Sequence, residues 1–160
     1  MKIAILDDEK MYLNIVQKII EDFAPKNRLV YEIKQYQYAR ELLWDLEEGM
    51  YYDAYILDIE MPGMNGMELA HEIRMKYQES FILFVTSYFK YSLKGYEYGI
   101  FRYIMKEQVQ EELPPALEEM QKKIEGRNQR FYTIESQSVL ARLAYEDILY
   151  LDVSGKYVYF

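Results

Sequence analysis

The chain has no cysteine, a single histidine and tryptophan, four prolines and seven glycines among its 160 residues. Without cysteine it holds no disulfide, no thiolate metal site and no cysteine nucleophile. That agrees with a reducing, cytoplasmic setting, which is the expected location. His71 alone cannot build a multi-histidine metal site, and in its helical stretch it reads as a surface residue. No apolar run approaches the roughly 20 residues of a membrane span, so no membrane is expected among the partners. Met1 leads straight into a strand-like run, with no basic leader or cleavable apolar region expected ahead of it. Basic residues are the minority too. A formal net charge of −8 argues against nucleic-acid binding by the chain as it stands. In residues 127–160 the bases Arg127, Arg130, Arg142 and Lys156 balance the acids Glu135, Glu146, Asp147 and Asp152, so the whole excess belongs to the residues before them.

What is present is enough for a core. Hydrophobic residues make up 51% of the chain, and its length suits one well-packed domain with part of a second. Strand-like runs at Lys2–Leu6, Leu29–Tyr36, Ala54–Leu57, Phe81–Thr86 and Tyr103–Met105 alternate with helical stretches. Several runs are continuously apolar, as parallel strands covered on both faces require. Met11, Ile15, Ile19 and Phe23 recur about every four residues, with Val16 and Ile20 beside them, and mark a first helix. A second is predicted at about Tyr38–Glu48, stopping at Gly49, a third at Met67–Tyr77, and a weaker fourth at Tyr91–Tyr98. Leu113, Leu117, Met120 and Ile124 mark a fifth. Pro114 and Pro115 are tolerable only in a first turn, so this helix is expected to start near Leu113, leaving Glu107–Glu112 as an acidic connector. The expected fold is an open α/β, doubly wound sheet of five parallel strands with right-handed crossovers.

Past Gly126 the pattern changes. Phe131–Glu135, Val139–Ala144, Ile148–Val153 and Tyr157–Phe160 are strand-like and separated by polar turns. They read as the first strands of an all-β domain, and because the last is cut at Phe160 the chain is expected to be a piece of a longer one. The expected divisions are residues 1–125, a linker at 126–130 and a fragment at 131–160.

In an open α/β sheet, ligands bind beyond the carboxyl ends of the strands. The first predicted strand ends in Asp7–Asp8, the third in Asp58, the fourth in Thr86–Ser87 and the fifth in Lys106. Those ends would bring three carboxylates, a hydroxyl and an ammonium to one rim. A nucleotide-binding unit would place glycines after the first strand to cradle phosphate; acids stand there instead. Three close carboxylates raise one another's pKa unless a cation joins them. A hard, oxygen-liganded ion suits them, and magnesium characteristically keeps waters and bridges to phosphate. One carboxylate could then act as nucleophile toward a phosphoryl group, with magnesium, Lys106 and the Thr86 hydroxyl neutralising charge. Singly, each acid could equally be a strand-end carboxylate stabilising a helix N-terminus.

The stretches ILDDE, YDAYILDIEMPGMNGMEL, FILFVTS and GIFRYIMK, in that order, closely resemble the receiver (CheY-like, flavodoxin-like) domain of two-component response regulators over about residues 1–125. The resemblance implies that Asp58 is the phosphoacceptor, charged by a sensor histidine kinase. It implies that Asp8 binds Mg2+ directly and Asp7 through water, with the Glu60 backbone carbonyl as a further ligand. Lys106 would pair with the phosphoryl oxygens, Thr86 would move toward them, and Tyr103 would rotate inward behind it. This carries the signal to the face of the fourth helix, fifth strand and fifth helix, where a homodimer could form. Pro62–Gly63 and Gly66 match the tight loop after the acceptor. The family usually has proline after the lysine, often in a cis peptide; Glu107 stands there, so either a trans bond with a shifted loop or a strained bond is expected. Residues 131–160, above all YEDILYLDVSGKYVYF, resemble the opening strands of a LytTR DNA-binding domain, whose base-contacting loops lie mostly later.

The function implied is a phosphorylation-controlled transcription regulator, a switch rather than an enzyme apart from its own phosphorylation and slow autodephosphorylation. A haloacid-dehalogenase-like phosphatase also uses aspartate, Thr/Ser, Lys and magnesium, but its nucleophile normally ends the first strand. A receiver-like module that only binds protein is a third reading. Tyr103 could instead be an ordinary half-buried strand aromatic, and Glu60 and Tyr88 could tune the phosphoryl lifetime or simply be surface residues. The run Tyr88, Tyr91, Tyr96, Tyr98 and Tyr103 could be a binding face or merely amphipathic packing.

Overall fold

The computed structural model describes residues 1–24, 30–88, 99–128, 131–135, 140–144, 152–154 and 157–159, with side chains through Arg127. Strands β1 (Lys2–Leu6), β2 (Glu32–Tyr36), β3 (Ala54–Leu57), β4 (Phe81–Thr86) and β5 (Arg102–Met105) form one sheet in the order β2-β1-β3-β4-β5. Every pairing in it is parallel. The central strands β3 and β4 are buried at every residue, which explains their unbroken apolar sequences. At the edge, β2 alternates exposed Glu32 and Lys34 with more buried neighbours, the pattern of a half-covered strand. Its predicted start was earlier; Val30 and Tyr31 lie outside the strand, and residues 25–29 fall outside the described set.

Alternate strand residues serve opposite faces. Ala4, Leu6, Tyr55, Leu57, Ile82 and Phe84 pack in one core with Leu42 and Leu46 of α2 (Ala39–Glu47) and Leu69, Ala70 and Ile73 of α3 (Gly66–Lys76). Ile3, Ile5, Ile56, Leu83 and Val85, also buried, point to the other face. There α1 (Lys10–Phe23) buries Leu13, Val16, Ile19 and Ile20, the stripe that its four-residue spacing predicts. Gly49, at φ +87°, follows α2 and turns the chain where a side chain would be strained. Arg74 of α3 donates hydrogen bonds to the carbonyls of Gln78, Ser80 and Gly99, the last two at 2.9 Å, tying the entries to β4 and β5 together.

The last described helix, α4 (Val109–Asn128), corresponds to the predicted fifth; the predicted fourth, residues 91–98, lies outside the described residues. The expected connector is not a connector. A 3-10 turn at Lys106–Gln108 runs directly into α4, so Pro114 and Pro115 sit inside the helix. The two prolines remove N–H groups that would have bonded the carbonyls of Gln110 and Glu111. Both residues are exposed, so water can satisfy those carbonyls. Val109, Leu113, Ala116 and Leu117 are buried along one stripe, and that burial holds the helix through the prolines. The helix continues through Asn128, into the stretch read as a linker.

The chain divides into two compact units, Met1–Leu117 and Glu118–Phe160. In the second, β6 (Phe131–Glu135) pairs antiparallel with β7 (Leu140–Ala144), and β8 (Asp152–Ser154) with β9 (Tyr157–Tyr159). The parts of the predicted strands at residues 139, 148–151 and 160 lie outside the described residues.

Candidate functional site

Register assembles the site. In the sheet Leu6 pairs with Leu57, Leu57 with Phe84, and Thr86 with Met105. The residues that end these parallel strands therefore emerge on one rim. Asp7 follows β1 and its N–H bonds the Tyr36 carbonyl at 3.2 Å; Asp58 follows β3 and its N–H bonds the Leu6 carbonyl at 2.8 Å. Thr86 closes β4, and Lys106 follows β5 as the first residue of the 3-10 turn. Asp7, Asp58 and Lys106 each expose only 4% of their surface and Thr86 none. Charged side chains are rarely so buried unless paired.

They are paired through Lys106. Its Nζ lies 2.8 Å from Asp7 Oδ2 and 2.8 Å from Asp58 Oδ2. Asp58 is held at both oxygens, since the Ile59 N–H donates to Oδ1 at 2.6 Å. Asp7 Oδ1 accepts the Glu9 N–H at 2.9 Å. Asp7, Asp8 and Asp58 each offer an oxygen within 4.8 Å of the others, and Asp8 is the half-buried member. Burial pushes the Asp7 carboxyl up to about 6, against the hydrogen bonds from Lys106 and the Glu9 N–H. Burial also opposes the Lys106 charge, but its bonds to Asp58 and Asp7 outweigh that and hold its pKa above the usual lysine range.

One ammonium therefore does not balance this rim. Three close carboxylates, Asp7, Asp8 and Asp58, share that single ammonium. An oxygen-only set of three close carboxylates with that deficit fits a hard divalent cation, and with no sulfur or imidazole in it does not suit zinc.

The loop after Asp58 is built for close approach. Gly63 adopts φ +93°, where glycine carries no penalty. At Gly66 a Cβ would stand 1.9 Å from the Asp58 carbonyl oxygen and 2.9 Å from Ile59 Cα, so only glycine fits without backbone movement. Its N–H bonds the Ile59 carbonyl at 2.8 Å. Asn65 caps α3 by accepting the Met67 N–H at 2.8 Å. The start of α3 and the chain leaving β3 are thereby locked together.

Of the residues expected here, Asp7, Asp8, Asp58, Thr86 and Lys106 all reach the rim. No cis peptide bond occurs among the described residues, so Lys106 joins Glu107 in trans and the turn that follows still delivers its ammonium to Asp58. Thr86 Oγ1 accepts the Tyr88 N–H at 3.4 Å. Tyr103 is half-buried, packs edge-on to Phe84 at 6.0 Å between ring centroids and donates its hydroxyl proton to the Tyr88 carbonyl. Glu60 sits half-buried two residues after Asp58. His71 is exposed on α3, as expected. Tyr91, Tyr96 and Tyr98 lie outside the described residues.

Sequence reasoning missed Glu9 and Tyr12. Glu9 Oε1 lies 3.1 Å from Lys106 Nζ, and the Tyr12 ring centroid lies 4.1 Å from it. Both are separated from Lys106 by more than ninety residues, and the only available signal was their place beside the acidic pair.

Residues 3–118 match the family model described as response regulator receiver domain. Among curated proteins, the chain is 26% identical to the sensory transduction protein LytR of Staphylococcus haemolyticus, over 88% of this chain and 53% of that protein. It is 25% identical to the transcriptional regulatory protein NatR of Bacillus subtilis, over 97% of this chain and 65% of that one. The chain thus spans roughly half to two thirds of these relatives. Among solved structures, the response regulatory domain of MrkE from Klebsiella pneumoniae superposes with a TM-score of 0.71 at 24% identity, covering 79% of this chain and 99% of that one. The response regulator TrrA of Thermotoga maritima, solved in complex with Mg(2+)-BeF, gives a TM-score of 0.60 at 31% identity, covering 74% and 97%.

Proposed function

This chain belongs to the response regulator receiver domain family, and we propose that it works as a phosphorylation switch with Asp58 as the phosphoacceptor. The observation that carries the reading is the buried Asp58 carboxylate, held at one oxygen by the Ile59 N–H and at the other by Lys106, inside an acidic cluster short of positive charge. In this reading Asp7, Asp8 and Asp58, with the Glu60 backbone carbonyl, hold Mg2+. The bound ion supplies charge neutralisation at the phosphoryl oxygens. Asp58 attacks phosphorus of a histidine kinase's phosphohistidine, an O–P bond forming as the P–N bond breaks and its electron pair leaves on the imidazole. Lys106 leaves Asp58 to pair with a phosphoryl oxygen. The Thr86 hydroxyl donates to another, and Tyr103, now hydrogen-bonded to the Tyr88 carbonyl, turns inward behind it. Slow attack of water returns inorganic phosphate and the free carboxylate, so the chain is a switch rather than an enzyme acting on other molecules.

The output we infer is transcriptional, in the cytoplasm, through a LytTR-like DNA-binding domain beginning with the strands after residue 130. Two supports are the strand-rich second unit and the relatives LytR, a sensory transduction protein, and NatR, a transcriptional regulatory protein. The face of β5 and α4, with the helix predicted from sequence at residues 91–98, is a candidate homodimer surface. No described helix is long and apolar enough to cross a membrane.

The test is incubation with a small acyl phosphate, with and without Mg2+, followed by intact mass. One acid-labile adduct that requires Mg2+ is expected. No adduct under any condition would favour a module that only binds protein, and rapid turnover of phosphate esters would favour a phosphatase.

A further inference from the structure

Lys106 makes an ion pair that the chemistry above leaves unused. Glu9 Oε1 stands 3.1 Å from its Nζ, and the Glu9 side chain is 56% exposed while that of Lys106 is 2% exposed. Glu9 occupies the N-cap position of α1 without a side-chain capping bond, and its carboxylate reaches Lys106 instead. The Tyr12 ring faces the same ammonium, with its centroid at 4.1 Å, a cation–π distance. Two of the three acids around Lys106, Asp7 and Asp58, belong to the cluster that fits a divalent cation; Glu9 does not. A divalent ion and an ammonium repel each other over shared carboxylates. Once the cluster is loaded, Glu9 and Tyr12 are the partners still given over to Lys106.

We propose that Glu9, backed by the Tyr12 ring, is a positioning residue that receives Lys106 when a divalent cation occupies Asp7, Asp8 and Asp58. It keeps the ammonium at the rim, beside the place where the phosphoryl oxygens arrive. The inference rests on the phosphoacceptor reading. Glu9 then favours the loaded state over the metal-free one, because in the latter Asp7 and Asp58 already share the Lys106 charge.

The experiment is a calorimetric Mg2+ titration of the full chain carrying Glu9→Gln, Glu9→Asp, Lys106→Met, or Glu9→Gln with Lys106→Met. Glu9→Gln is expected to weaken Mg2+ binding roughly three- to fivefold, the scale of one partly exposed ion pair. With Lys106→Met in place the same change should have no effect. Glu9→Asp keeps the charge but is one methylene too short to reach Lys106, and should weaken binding as Gln does. Equal weakening by Glu9→Gln in both backgrounds would overturn the proposal, since Glu9 would then act on the ion directly. Wild-type affinity in Glu9→Asp would overturn it as well, and that arm does not need Lys106→Met to fold. A wild-type adduct in the phosphodonor assay separates the two failures. With an adduct present, a null result sinks only the Glu9 role; without one, the phosphoacceptor reading itself falls.

Discussion

Asp7→Asn should stabilise the metal-free protein. The Asp7 carboxyl is buried and pushed up from an ordinary 3.8 to about 6. A shift of that size corresponds to about 3 kcal/mol by which ionised Asp7 disfavours the folded state. Lys106 is already counted in that balance, because its attraction acts against the shift. Asparagine removes the charge, keeps the volume and keeps an acceptor for the Glu9 N–H. Urea unfolding in a chelator near pH 7.5 should therefore show the variant more stable by ~1–3 kcal/mol. The direction with pH follows from proton uptake. Between 3.8 and about 6 the folded wild type binds a proton at Asp7 that the unfolded chain does not, so wild-type stability from this group falls as pH rises through that window. The variant's advantage is full above it and vanishes below 3.8, where Asp7 is protonated in both states. Added Mg2+ should shrink the advantage by stabilising only the wild type. A variant that is less stable near pH 7.5, or whose advantage ignores pH between 4 and 7, would refute the reasoning.

Other perturbations follow from the same geometry. Lys106→Met leaves Asp7 and Asp58 without their ammonium; chelator unfolding should show a loss of about 3 kcal/mol, much of it restored by Mg2+. Gly66→Ala drives a Cβ into the Asp58 carbonyl; urea unfolding should show a loss of roughly 2–3 kcal/mol with Mg2+ affinity also weakened. Arg74→Ala removes a donor to three carbonyls; a loss of about 1–3 kcal/mol is expected, with faster amide exchange at Phe101, whose N–H bonds the Ile82 carbonyl.

The sheet was legible because β3, β4 and, after Lys2, β1 are buried apolar runs up to the rim, where Asp7, Asp58 and Thr86 interrupt them. That interruption located the site as well as the strand ends. The α4 start was misread for a physical reason. Pro114 and Pro115 looked like an N-terminus, yet the carbonyls they orphan belong to exposed Gln110 and Glu111, while Val109 and Leu113 reward an earlier start with burial. The trans Lys106–Glu107 bond was one of two expected outcomes, and in the folded chain it still carries Nζ to Asp58. Glu9 and Tyr12 around Lys106 were invisible, because side-chain contacts between distant segments leave no trace in local pattern.

The central claim is that Asp58 takes the phosphoryl group. The most direct measurement treats the phosphodonor-exposed chain with borohydride, which reduces an acyl phosphate to an alcohol, and sequences the peptides by mass. The account predicts homoserine at position 58, dependent on Mg2+, with Asp7 and Asp8 unchanged and no product in Asp58→Asn. Homoserine at position 7 or 8, or a product of equal yield in Asp58→Asn, would contradict it.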